Sequence, residues 1–209
     1  MRRLIVAPHA DDEVLGCGGL IAKYPDTAVA IVAHIEIERL TEFFAARRAM
    51  GQSAIASDLL GNFPDGSVGL SMFGLVSWMD TVFAKVKPDE VYLPYPGSHQ
   101  DHVATYEAGM RAARQSMHPE HWMPPTVLVY ETPMYDLDLH AWPLRFSVFE
   151  SLSEEQVFAK AKAMEAYESQ NGKPHPGSPD EVVARARSLG LARDLEYAEQ
   201  FAPVRLVRP

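Results

Sequence analysis

Two short runs of Val, Ile, Leu and Ala, residues 3–7 and 27–34, show no alternation of apolar and polar positions, the pattern of strands covered on both faces. Between them, residues 14–24 predict a short helix that starts beside acidic side chains suited to a helix N-terminus. Strand, helix and strand in such close succession predict parallel pairing in an open α/β sheet. The same grammar continues. Helices are predicted at 41–51, at 72–86, which is amphipathic and stops before Pro88, and at 102–117. A third strand is predicted at 90–94, and further strands at 126–131 and, with less regular alternation, at 145–150. Residues 53–60 match neither pattern. Ser153, followed by Glu154 and Glu155, has near-capping-box chemistry and predicts a helix to about residue 169. Residues 171–179, with three prolines and two glycines, predict a loop before a last helix at 181–193. No internal repeat or low-complexity segment breaks this order. The expected fold class is α/β, a single domain over 1–209. It has a core sheet in about 1–123 and a small C-terminal addition in about 124–209, with Pro124-Pro125 at the boundary.

Composition narrows the chemistry. The 209 residues are 47% hydrophobic, too apolar for a disordered chain and not apolar enough to span a membrane. With 28 Asp and Glu against 19 Lys and Arg, the net charge of −9 repels phosphate backbones and anionic lipid. No nucleic acid partner and no membrane insertion are therefore expected; neutral or cationic small molecules and divalent metals remain, and a homo-oligomer is compatible with this charge. The apolar stretch 4–7 is far shorter than the roughly 7–15-residue core of a secretion signal, so the protein is expected in the cytoplasm. A lone Cys17 permits neither an intramolecular disulfide nor a thiolate-rich zinc site. A metal would have to use histidine and carboxylate, and eight histidines are available.

In open α/β sheets, ligands collect at the carboxyl ends of the strands. The first predicted strand is followed by Pro8-His9-Ala10-Asp11-Asp12-Glu13, and the third by Pro96-Gly97-Ser98-His99-Gln100-Asp101-His102. If the two strands are parallel and close, these loops converge. A hydrolytic zinc site wants three nitrogen or oxygen ligands and an open fourth position for water. His9 and Asp12, three apart at a strand-to-helix turn, can point the same way, and His102 can close the triangle, which leaves Asp11 beside the metal as general base. Each cluster has a plainer reading when taken alone: the acids as first-turn residues of a helix, the histidines as satisfied loop residues. Their pairing, each after a predicted strand, favours the metal site.

Residues 8–19 follow the pattern P-H-x-D-D-E-x-x-G-x-G-G throughout, and His99-Gln100-Asp101-His102 follows H-x-D-H. In both, the chain resembles the PIG-L/LmbE-like family, zinc-dependent N-deacetylases of N-acetylglucosamine-containing substrates. Weaker agreement runs through Arg39, Glu42, Ala46 and Met50-Gly51, then Asp65-Gly66, Tyr130-Glu131, and a stretch from Lys160 through Tyr167 to Gln170. The resemblance implies a Rossmann-like, doubly wound, mostly parallel sheet with helices on both faces. It implies His9, Asp12 and His102 as ligands of Zn2+, or of another divalent metal such as Fe2+, and Asp11 as general base. It also implies His99 as oxyanion donor or acid, with Asp101 fixing its ring and keeping it protonated, and Arg39 as a residue that holds hydroxyls of an N-acetylated sugar substrate.

One stretch departs from the family. Its members often end the second strand with a T-x-G or T-D-G turn before a longer loop, whereas this chain reads Ala33-His34-Ile35-Glu36-Ile37-Glu38-Arg39, which shortens a loop that helps shape the substrate cleft. His34 reads as a satisfied histidine at a strand end, with a place in the cleft as the alternative.

Cys17 lies among glycines and reads as packing. His118, His121, His140 and His175 fall in predicted loops and are set aside as ligands; Trp122 and Trp142 read as packing rather than a sugar-stacking wall; Tyr95 stands beside the second motif without an assigned role. Three functions compete with the deacetylase. A receiver domain would use the acidic pair for magnesium and Asp58 as phosphoryl acceptor, but has no use for the histidines. A zinc amidase acting on another amide conjugate, or on an antibiotic or nucleotide-sugar intermediate, keeps the metal and changes the bond. A non-catalytic binding protein would not need the intact constellation.

Overall fold

The computed structural model describes residues 1–53, 59–133, 144–170 and 176–207. Their strands form a seven-stranded sheet in the order β3-β2-β1-β4-β5-β7-β6. β1 (Arg3–Ala7), β2 (Ala28–Ala33), β3 (Leu60–Phe63), β4 (Glu90–Pro94) and β5 (Thr126–Tyr130) run parallel. β7 (Tyr197–Leu206) is antiparallel to both β5 and β6 (Val148–Leu152), so the C-terminal segment extends the same sheet.

The strands lack alternation because both faces are covered. α3 (Met72–Val86) and α4 (Gln100–Ala112) pack on one face through Leu75, Met79, Phe83 and Ala108. α1 (Asp12–Lys23), α2 (Ile37–Ala49) and α5 (Glu154–Glu165) cover the other through Leu20, Ile21, Phe43 and Met164. Leu4 and Val6 of β1 enter the first cluster, Ile5 and Ala7 the second, which leaves no solvent-facing position to carry a polar residue. α6 (Pro179–Leu191) lies against α5 and β7.

Two elements place the site. The chain leaves β1 toward β2 and leaves β4 toward β5, so the strand order reverses between the adjacent β1 and β4 and opens a crevice at their carboxyl ends. α1 then approaches the sheet closely through glycine: a Cβ on Gly16 would enter the ring of Tyr130, and one on Gly19 would strike Leu152. Below Gly19, the buried Glu199 carboxylate accepts from the N–H groups of Gly19 and Leu20, each at 2.8 Å. Lys160 joins it at 2.8 Å and donates to the Leu15 carbonyl at 2.7 Å. Cys17 is fully buried in this packing, where burial pushes its thiol up.

Several boundaries differ from expectation. α2 begins at Ile37 rather than at residue 41, because the short link after β2 delivers the chain directly to it. α4 starts at Gln100 with His99 as its N-cap and ends at Ala112, well before residue 117. β6 lies at Val148–Leu152 rather than 145–150, and the box that starts α5 closes on Gln156 rather than on the two glutamates. β7 was not expected at all. Its buried Glu199 and its Pro203 both argue against an interior strand; the glutamate is neutralised by Lys160, and Pro203 sits beside a register shift against β5.

Candidate metal centre and cleft

The acids after β1 do not simply cap α1. Asp11 stands at the N-cap with φ 140°, a setting that favours glycine, and its side chain makes no capping bond. Its backbone N–H donates instead to Glu13 Oε2 at 2.9 Å, and the Tyr167 hydroxyl donates to Glu13 Oε1 at 2.6 Å. Burial pushes the Glu13 carboxyl up, against the hydrogen bonds it accepts. The turn is thereby held from within.

Asp12 Oδ2 lies 3.3 Å from His9 Nδ1 and 3.2 Å from His102 Nε2. Ligands bound at about 2.0–2.1 Å around a tetrahedral ion stand roughly 3.3 Å apart, so these atoms have the separations such a centre requires. The electrostatics also fit a cation. Burial disfavours a charged His9, but the carboxylates of Asp12, Asp101 and Asp65 outweigh it and push the imidazole up to about 9. Burial likewise works against a charged Asp12, yet His102 and His9 hold its carboxyl well below the usual range. Among the described residues, His9, Asp12 and His102 form one of two triads whose ligand atoms lie within 4.8 Å of one another; the other is His9, His99 and Asp101.

The ring nitrogens turned away from this point are also engaged. His102 Nδ1 is 3.3 Å from Thr132 Oγ1, and His9 Nε2 is 3.1 Å from Asp101 Oδ2 and 3.2 Å from Asp65 Oδ1. Metal-binding histidines are commonly oriented through such contacts. Asp101 also accepts from the backbone N–H groups of Gly66 at 2.7 Å and Val68 at 3.2 Å. The expected hold of its carboxylate on the His99 ring is corrected accordingly: the Asp101 backbone N–H donates to His99 Nδ1 at 3.2 Å. Nor do the surroundings keep His99 protonated, since burial and the charges of His9 and His102 push its pKa down.

Asp11 stands beside the triad. Arg39 donates to its Oδ2 at 3.2 Å and to the Ala10 carbonyl at 3.1 Å. Burial, then the charge of Asp12, push the Asp11 carboxyl well above the usual carboxylate range, with Arg39 opposing; a more basic carboxylate suits a general base. His9, Asp11, Asp12, His34, Arg39 and His99 all line one cleft of about 440 Å³. The structure thus brings together all seven residues singled out by sequence, Asp101 and His102 lying buried beneath the others.

Sequence reading missed Thr132 and the contact between Glu13 and Tyr167. Thr132 follows β5, so reading the strand end next to β4 would have found it. Of the residues set aside, His121 bonds the Arg114 carbonyl at 2.7 Å, Trp122 donates to the Pro88 carbonyl at 2.8 Å, and Tyr95 packs against Phe146; none of the three lines the cleft. Asp58, His140, Trp142 and His175 lie outside the described residues.

A doubly wound sheet with a two-histidine, one-carboxylate centre and a further carboxylate at its switch point defines a metallohydrolase architecture. The PIG-L family, described as GlcNAc-PI de-N-acetylase, matches residues 4–113, more than half of the chain, and the chain belongs to it. It is accordingly an enzyme of the hydrolytic N-deacetylase class, and the receiver-domain alternative falls. The chain is 27% identical over 179 residues to the uncharacterized deacetylase YaiS of Escherichia coli (strain K12), a match covering 79% of this chain and 90% of that one. Among solved structures it is similar to the conserved protein TT1542 from Thermus thermophilus, with a TM-score of 0.77, 24% identity and coverage of 99% and 95%. It is also similar to N,N'-diacetylchitobiose deacetylase from Pyrococcus horikoshii, with a TM-score of 0.75, 20% identity and coverage of 97% and 83%. The fold is shared as well by the 4-carboxy-2-hydroxymuconate hydratase GalB of Pseudomonas putida KT2440, at a TM-score of 0.68, 19% identity and coverage of 100% and 98%. Likeness at these identities establishes the fold, and the reaction has to be argued from the site. No helix among the described residues is long and apolar enough to cross a membrane.

Proposed function

We propose that this enzyme removes the N-acetyl group from an N-acetylated amino sugar or a related glycoconjugate, in the cytoplasm, with Zn2+ or another divalent ion such as Fe2+ held by His9, Asp12 and His102. The observation that carries the reading is Asp12 Oδ2, set 3.3 and 3.2 Å from two imidazole nitrogens. Beside it, in the cleft of about 440 Å³, stands the separate carboxylate of Asp11. The sugar class draws support from the family description and from the likeness to the chitobiose deacetylase.

A divalent cation in the triad supplies Lewis acidity and makes water nucleophilic near neutral pH. The rest is the work of the side chains. Asp11 takes the proton from the attacking water, held outside the ligand set by its unusual backbone and by Arg39. His99 Nδ1 accepts the Asp101 N–H, so the proton of the neutral ring sits on Nε2, where it can donate to the carbonyl oxygen as that oxygen gains negative charge. Collapse breaks the C–N bond and needs a proton on the leaving amine, delivered by Asp11, which took one from the water, to give acetate and a free amine; a neutral His99 has none to give. Arg39, on the cleft wall, is the residue proposed to meet sugar hydroxyls.

Acetate release from N-acetylglucosamine and N,N'-diacetylchitobiose, measured with and without chelator, tests the reading. Release should stop on chelation and return with added Zn2+ or Fe2+. A protein that releases no acetate, or releases it regardless of chelator, overturns it.

A further inference from the structure

His34 is the first residue after β2, whose neighbour β1 carries His9 at its own end. It is pinned at two points: its backbone N–H donates to the Phe63 carbonyl at 2.8 Å, and its Nδ1 lies 2.6 Å from Asn62 Oδ1 on β3. The opposite ring nitrogen, Nε2, is 4.0 Å from Glu36 Oε1, beyond hydrogen-bond reach. The side chain is 53% exposed and lines the same cleft as His9, Asp11 and His99. A histidine on the cleft wall that is held on one nitrogen and, among the described residues, has no hydrogen bond on the other is built differently from a satisfied strand-end residue.

We infer that His34 is a specificity-determining residue, whose Nε2 bonds a neutral hydroxyl of the substrate while Asn62 positions the ring. This rests on the deacetylase reading and deepens it. A hydroxyl both donates and accepts, so it pairs with Nε2 whichever ring nitrogen holds the proton. Glu36 beside it adds negative charge, which disfavours a phosphate at this point. The link 34–36, too short to build a wall of its own, thus contributes through one fixed side chain.

Two substitutions separate the cleft edge of the ring from its brace. His34→Asn places an amide near the Nδ1 position and keeps the contact with Asn62, but has nothing at Nε2; His34→Gln reaches the Nε2 position. On metal-loaded enzyme with N,N'-diacetylchitobiose as probe, His34→Asn should raise KM roughly 2- to 12-fold, the worth of one neutral hydrogen bond, with kcat within about twofold. His34→Gln should stay within about twofold of wild type in both constants. The opposite ranking, with His34→Asn like wild type and His34→Gln impaired, would make His34 a brace for β3 and overturn the inference. Binding is read separately, by calorimetry of the probe in a metal-loaded Asp11→Asn background. A wild-type enzyme that binds the probe but releases no acetate overturns the deacetylase reading alone. His34→Asn that binds as tightly as its parent overturns this inference alone, and a parent that does not bind overturns both.

Discussion

Asp101 Oδ2 lies 3.1 Å from His9 Nε2, joining two sequence motifs 92 positions apart. The carboxylate that the sequence pairs with His99 is thus engaged by His9, a proposed metal ligand, and by the backbone of Gly66 and Val68. Removing it in Asp101→Ala should lower metal affinity on the order of 10- to 100-fold, measured by competition with a chromophoric chelator. The metal-free protein should also melt earlier, since two backbone donors lose their acceptor. Wild-type affinity in this variant would mean that His9 is oriented without Asp101.

Asp11 and the three proposed ligands should separate when metal content and turnover are measured on the same samples. Asp11→Asn, which tolerates the positive φ, should keep its metal and lose nearly all acetate release. His9→Ala and His102→Ala should lose both. His99→Ala should retain metal and fall roughly 100- to 1000-fold in kcat, the usual effect of losing one oxyanion donor. Near-normal turnover by Asp11→Asn would remove it as the base.

What the sequence disclosed follows the physics of each signal. Doubly covered strands announce themselves as unbroken apolar runs, so β1, β2, β4 and β5 are legible, and with them the two strand ends after which His9, Asp12 and His102 follow. β7 was hidden because its buried charge is compensated by Lys160, 39 positions away, a partner that no local window contains. The role of Asp101 is hidden for a similar reason. In sequence it stands two residues from His99, but the first turn of α4 points its carboxylate to His9 and its N–H to the His99 ring. Thr132 gave no motif, only a place after β5.

The pair Lys160 and Glu199 should matter as a unit. Both are buried, and each also bonds α1 backbone, so a single substitution leaves a charge without its counterpart. Lys160→Met or Glu199→Gln should cost about 3–5 kcal/mol, or roughly 6–20 °C in Tm for a chain of this size. The double variant should be less unstable than the sum of the singles, as read by urea denaturation. Additive losses would show that the two side chains act independently.

Stability and chemistry meet at Gly16. The Tyr130 ring, whose hydroxyl donates to the Val6 carbonyl at 3.0 Å, occupies the space a Cβ would need there. Gly16→Ala must therefore shift either β5 or α1, and α1 is the element that begins with Asp12. Overpacking of this kind costs about 1–3 kcal/mol. In Gly16→Ala the loss of Tm should be accompanied by weaker metal binding, because Asp12 moves with its helix relative to His102 on α4. Adding Tyr130→Leu should recover part of both, since the smaller side chain gives the methyl group room. A Gly16→Ala protein that melts earlier but binds metal as wild type does would show that the helix accommodates the methyl without moving its first turn.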